Sequence, residues 1–366
     1  MKIGILSFPN MTSYGCSLQM YALYRAVEQT GAKAEIINYR NEYMKARRHT
    51  SAGNGKSSFK TALRLSVSKA IHLRQILAFR KFERRMVLHP AKEISNKREL
   101  TEVSKRYDGV ICGSDQVWNP MITDTDLSFF LDFCAPDTKR LAYAPSFGIS
   151  EFTDAFTEKI LPELNRFDYL SVREDVGARY VEAIAKRQAE VVLDPTFLIS
   201  QKEWSELEKP HKMAKGKYIF CFPVRKSAAL IKFGRELAEK KNAMLIVAEG
   251  NMLTLLRNKD RRIRYALDLS PEEWLYLLHH AECVVTNSFH GAAFSIHYQK
   301  DFYLECSSSK ANSRLEQLVE LCGLHDRVIQ RGFDIRDTGI DYADVDARIA
   351  PAKQASMEYL KNSVRQ

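Results

Sequence analysis

Glycine is scarce and scattered in this chain, 16 among 366 residues, and Gly113, Gly148 and Gly291 each stand alone. A glycine-rich loop of the kind that cradles a nucleotide diphosphate is therefore missing. No apolar run reaches the roughly 18 residues that a membrane-spanning helix needs. The opening, Met1-Lys2-Ile3-Gly4-Ile5-Leu6, is too short and too polar at its flanks for a signal peptide, and it reads as the first strand of a cytoplasmic protein. The seven cysteines (Cys16, Cys112, Cys134, Cys221, Cys283, Cys306, Cys322) are odd in number and hold no C-x-x-C pair, which favours buried free thiols in a reducing compartment. No His, Asp, Glu or Cys grouping has metal-ligand spacing, so no required metal is expected. Internal repeats, low-complexity tracts and aromatic-basic ribonucleoprotein motifs are also missing, and nucleic acid is not an expected partner.

What is present is globular in composition, 45% hydrophobic and 27% charged, at a length that suggests two domains. The net charge of +10 is unevenly placed. Residues 40–106 hold 18 Lys or Arg against five Asp or Glu, a local +13 that leaves the rest of the chain at −3. Such a block points to an anionic surface rather than to a generally basic protein. Within it Phe59, Leu63, Val67, Ala70, Ile71 and Leu77 recur at roughly helical spacing with basic residues between. That pattern suits a helix lying on a membrane with anionic lipid, and equally an ordinary surface helix with a solvated basic face.

Short apolar runs alternate with helical patterns along the chain. Strands are expected at Ile3–Phe8, Glu35–Tyr39, Gly109–Cys112, Arg140–Pro145, Tyr169–Val172, Glu190–Leu193, Tyr218–Phe222, Met244–Ala248, Cys283–Thr286 and Phe302–Glu305. Helices such as Leu18–Gln29, Asp154–Asn165, Ser227–Lys241, Pro271–His280 and Phe289–Tyr298 fall between them. Alternation of this kind predicts α/β architecture with two doubly wound, Rossmann-like domains facing across a cleft. The expected division is an N-terminal domain over 1–205 with a basic helical insertion at about 40–106, and a C-terminal domain over 206–345. A closing helix over 346–366 is expected to pack back on the first domain.

Ligands of such sheets bind beyond the carboxyl ends of the strands, and polar residues collect there: "CGSDQVWNP", "SVRED", "LDPT", "FPVRKS", "VAEGN" and "NSFHG". In order and spacing, "GVICGSDQVWNP", "YLSVREDVGARYV", "VLDPTFL" and "VVTNSFHGAAFSI" resemble the polysaccharide pyruvyl transferase family, and "TSYGCSLQMYAL" is similar to that family's N-terminal Gly-x-x-Leu-Gln segment. The resemblance covers roughly residues 1–325 and none of its motifs falls within 40–106. It implies a fold similar to the GT-B glycosyltransferases, phosphoenolpyruvate as co-substrate with no further cofactor, and a sugar that receives pyruvate as a cyclic ketal during surface polysaccharide synthesis. Residues at the positions of His290 and Arg173 are functional in the family.

The residue types fit that chemistry. His290 is the natural general acid, since an imidazole holds and delivers a proton near neutral pH. Arg173 suits the donor's phosphate or carboxylate, although it is also placed to pair with Glu174 or Asp175. Ser288, Phe289 and Gly291 open a helix whose N–H groups could bind an anion, and Arg225 is a second candidate cation. Asp115 could act as a base or cap a helix. Gln116 and Trp118 are candidates for the sugar site, with Trp118 equally suited to a core, and Glu249 is a second candidate base. Asp194-Pro195-Thr196 reads as a structural turn, and His279, His280 and His297 as structural. Two other functions stay open: a glycosyltransferase using a nucleotide sugar, which shares the architecture but lacks its diphosphate loop, and a non-catalytic scaffold at a membrane surface, which leaves the polar strand ends unexplained. The acceptor sugar, free or lipid-linked, is not legible.

Overall fold

A computed structural model describes residues 1–9, 11–47, 59–88, 92–250, 252–306, 313–330, 335 and 338–365. The first sheet contains β1 (Lys2–Leu6), β2 (Lys33–Ile36), β3 (Gly109–Cys112) and β4 (Lys139–Ala142) in the order β2-β1-β3-β4, parallel throughout. A parallel pair, β5 (Ser171–Val172) and β6 (Glu190–Val191), continues it through a bridge between Leu141 and Tyr169. The second sheet contains β7 (Tyr218–Phe222), β8 (Met244–Val247), β9 (Ile263–Tyr265), β10 (Cys283–Thr286) and β11 (Phe302–Leu304), again all parallel, in the order β11-β10-β7-β8-β9. Parallel strands are joined by helices that cover both faces, which is why every residue of central strands such as β7 and β10 is buried and all but Thr286, at the end of β10, are apolar.

Aromatic side chains weld the two sheets' helices into one core. Tyr14, first residue of the helix Tyr14–Gln29, stacks on Trp274 at 5.4 Å between centroids, and Trp204 meets Phe294 edge-on at 4.8 Å. The last helix, Tyr342–Arg365, lies across the end of the first sheet: Ser356 Oγ accepts from the Leu193 N–H at 2.9 Å, and the Tyr359 hydroxyl donates to the Ala142 carbonyl at 2.9 Å. Trp118 corrects a sequence expectation. It is fully buried, stacked on Phe130 at 5.0 Å, with its indole N–H donated to the Phe129 carbonyl, so it is core and cannot touch a sugar.

The basic segment contains the helix Phe59–Glu83, which runs on into a π-helical turn, Arg84–Leu88. The side chains of Phe59, Leu63, Val67 and Ala70, four of the six expected apolar positions, lie outside the described ones. Further along, Phe79 and Phe82 are buried against Tyr14 and Tyr21, and the buried Glu83 accepts from Ser17 Oγ at 2.7 Å. Arg74 pairs with Asp268 and Arg85 with Glu272. The helix is thus clamped to both halves of the fold.

Candidate active site

The join between β10 and the following helix, Phe289–His297, is a set of interlocked caps. Thr286 Oγ1 donates to the Phe222 carbonyl at 2.7 Å, tying the ends of β10 and β7 together. Asn287 Oδ1 accepts from the backbone N–H groups of Val224 and Arg225, while its amide donates to the Arg225 carbonyl and to Glu305. Ser288 caps the helix by accepting from the Gly291 N–H at 3.3 Å. This use of its N–H withdraws Gly291 from the expected donor contacts, and Gly291 is instead the small residue that lets the helix close on Thr286, whose Oγ1 a Cβ would meet at 2.4 Å. The polar cluster therefore fixes the loop carrying Arg225 and sets His290 in the first turn of the helix.

His290 faces a cleft of about 440 Å³ between the strand ends of the two sheets. One wall comes from Ser13, Gly15, Cys16, Asp115 and Gln116, the other from Arg225, Ser288, Phe289 and Arg314. Gly15 is required by space alone, because a Cβ there would lie 2.2 Å from His290 Nδ1. Changing Gly15 to Ala is accordingly expected to displace the imidazole and lower turnover by about 100-fold, as misplacement by an ångström does, with the fold retained by circular dichroism. Wild-type turnover in that variant would count against a working role for this contact.

Beneath the cleft lies a buried charge cluster. Arg173 Nη1 donates to Asp194 Oδ2 at 2.8 Å, and the same guanidinium stands 3.8 Å from Asp115 and 3.9 Å from Glu174. Its face rests on the Phe289 ring at 5.1 Å. Arg173 is thus under the floor of the cleft, not in its wall. Asp194 works twice: Oδ1 holds the turn by accepting from Thr196, and Oδ2, besides taking Arg173, stands 3.5 Å from His290 Nε2. Burial alone would raise the carboxyls of Asp194 and Asp115, but His290 and Arg173 beside them outweigh it and hold both below the usual carboxylate range. Four buried polar atoms here lack hydrogen-bond partners: Arg173 Nε and Nη2, Glu174 Oε2 and His290 Nε2. Each stands 3.5–3.9 Å from an opposite charge of the same cluster, so the cluster is held by ion pairs longer than hydrogen bonds.

Asp115 itself sits at φ 83°, a left-handed conformation that is strained for a non-glycine residue. Its carboxylate accepts from the Gln116 N–H and from the Cys16 thiol, each at 2.8 Å. Gln116 lines the cleft with its carbonyl held by Asn119. Glu249, at the end of β8, is not among the residues lining the cleft, so this expected base is set aside. Two residues were not anticipated. Asp194 looked like a turn because it is one. Arg314, in the helix Ser313–Cys322, lies beyond the strand-end motifs, and no local pattern marked it.

Comparison with known proteins gives the family. The family model for polysaccharide pyruvyl transferase fits residues 14–304. The chain belongs to that family. No curated protein matches. Among solved structures, a proposed UDP-N-acetylglucosamine 2-epimerase from Listeria monocytogenes is 10% identical, with 99% of this chain and 90% of that one covered at a TM-score of 0.53. A UDP-GlcNAc 2-epimerase from Methanocaldococcus jannaschii is 12% identical over 96% and 93% of the two chains at 0.49, and the spinosyn rhamnosyltransferase SpnG is 12% identical over 100% and 96% at 0.43. At 10% identity the first of these shows the fold alone, the two-domain Rossmann-like arrangement of the GT-B class. Family membership makes the chain a transferase of polysaccharide biosynthesis.

Proposed function

We propose that this member transfers pyruvate from phosphoenolpyruvate to two hydroxyls of one sugar, closing a cyclic ketal on a bacterial-type surface polysaccharide or its precursor. The observation that carries the reading is the meeting of one imidazole, His290, with two guanidiniums, Arg225 and Arg314, against a single carboxylate, Asp115, in the wall of one cleft. A small donor bearing both a phosphate and a carboxylate calls for that excess of positive charge.

His290 protonates the donor's methylene carbon. With Nε2 turned to Asp194, the proton delivered is the one on Nδ1, and Asp194 stabilises the imidazolium before transfer. The resulting oxocarbenium takes the first hydroxyl. Phosphate then leaves, and the second hydroxyl closes the ring. His290's proton ends in the new methyl group and is replaced by one hydroxyl proton, while the other hydroxyl proton leaves on the phosphate, so no outside acid is consumed. Asp115, ionised in the wall, accepts the hydroxyl proton, and Gln116 orients the sugar. The protein works in the cytoplasm, at the inner face of the membrane where its acceptor is lipid-linked.

A thermal-shift comparison tests the class of donor. Phosphoenolpyruvate is expected to raise Tm and UDP-N-acetylglucosamine to leave it unchanged, because only a ligand of the native state stabilises it. The acceptor should gain the mass of pyruvic acid less one water. Stabilisation by the nucleotide sugar alone would transfer the assignment to a glycosyltransferase.

A further inference from the structure

The helix Phe59–Glu83 presents two chemically different faces. At 100° per residue, Ile71, Gln75, Phe79 and Phe82 fall on one side, and of these Phe79 and Phe82 are buried while Gln75 donates to the Tyr14 hydroxyl at 3.3 Å. On the opposite side fall Leu73, Leu77, Arg80, Lys81 and Arg84, all exposed, the two leucines by 55% and 52%. Arg80, Lys81 and Arg84 have no ion-pair partner among the described residues, unlike Arg74 and Arg85 on the flank. A pair of leucines one turn apart, followed by three unpaired cations on the same stripe, is poor design for a solvated face and good design for a surface that is apolar below and anionic above.

We propose that this outward stripe docks the protein on an anionic lipid bilayer, with Leu73 and Leu77 entering the interface and Arg80, Lys81 and Arg84 among the lipid phosphates. Charge complementarity selects this occupant over a protein groove: the stripe carries three cations and no anion, and the surrounding segment 40–106 is itself at +13. Nucleic acid would meet the cations but gain nothing from the leucines. The inner face of the same helix touches Tyr14, next in sequence to Gly15 and Cys16 of the cleft wall. A bilayer on the outer face therefore brings lipid-linked sugars close to the cleft. The docking itself does not depend on the proposed reaction, although its purpose rests on that reading.

The test is flotation of the full-length protein with vesicles of phosphatidylcholine alone or mixed with phosphatidylglycerol. Binding to the mixed vesicles only is expected, fading near 1 M salt, where the Debye length is about 3 Å. The variant with Arg80→Glu, Lys81→Glu and Arg84→Glu should lose at least about 100-fold in affinity, since each cation near the surface counts strongly. Leu73→Ser with Leu77→Ser should lose at least about tenfold. Equal binding to neutral vesicles, no binding to either, or full binding by both variants would overturn the proposal. So would single-stranded RNA that binds more tightly than vesicles and is insensitive to the leucine changes. Turnover of phosphoenolpyruvate on a soluble diol sugar is measured on the same samples. Wild-type protein that turns over but binds neither kind of vesicle overturns only the docking; wild-type protein that binds mixed vesicles without turnover overturns only the catalytic reading; the variants are expected to lose vesicle binding and keep turnover.

Discussion

Replacing His290 with alanine is expected to lower pyruvyl transfer by about 10²–10⁴-fold, the usual worth of a general acid, while phosphoenolpyruvate still binds. The two effects separate because the imidazole holds the proton, whereas the guanidiniums hold the donor's charge. Turnover and titration calorimetry on one preparation measure both. The alanine variant opens space against Gly15 but leaves Asp194 with Arg173 at 2.8 Å, so the charge cluster under the cleft survives and a folding failure is not expected. An equal loss of rate and of kcat/KM is the signature of an interaction made in the transition state. Retention of more than about a tenth of the wild-type rate would remove His290 from the chemistry.

What could be read from the sequence follows the physics of burial. Strands covered on both faces are apolar until a polar residue closes them, so β3, β7 and β10 stand at Gly109–Cys112, Tyr218–Phe222 and Cys283–Thr286, the bounds their composition predicts. The strand β9 was illegible because it is an edge: it has one neighbour, its middle residue Arg264 is exposed, and it follows Lys259-Asp260-Arg261-Arg262. His290 was legible because a helix cap, a strand end and an ionisable ring coincide in six residues. Trp118 was not, because an aromatic beside Gln116 and Asn119 looks the same in sequence whether its ring turns to a sugar or to Phe130 and Phe147. Asp194 hid a second task behind the first, one carboxylate oxygen making the turn and the other serving Arg173 and His290. Such division appears only when residues 21 and 96 positions away in sequence are brought to it.

Arg314 and Arg173 should respond to removal in opposite ways. Arg173 is neutralised in place: burial would lower its pKa, but Asp194, Asp115 and Glu174 outweigh that and raise it. Arg314 is lowered by burial, and next by the like charge of Arg173, with the same carboxylates only partly offsetting this. It still remains charged at any working pH. Without donor, then, Arg314 is a partly buried cation beside another cation, in the wall of a cleft that suits an anion. Arg314→Gln is therefore expected to leave the stability of the ligand-free protein unchanged or slightly higher, and to weaken phosphoenolpyruvate binding by roughly 30- to 1,000-fold, the range for losing one partner of a desolvated charge pair. Arg314→Lys should recover only part of that affinity, since an ammonium cannot reproduce the two-pronged contact. Arg173→Gln should instead destabilise the free protein by about 3–5 kcal/mol, because it leaves Asp194 and Glu174 buried without their cation. Thermal melts without donor, paired with calorimetric titrations, separate the two arginines. An Arg314→Gln protein that melts early and binds the donor normally would make Arg314 a structural residue and leave donor recognition to Arg225.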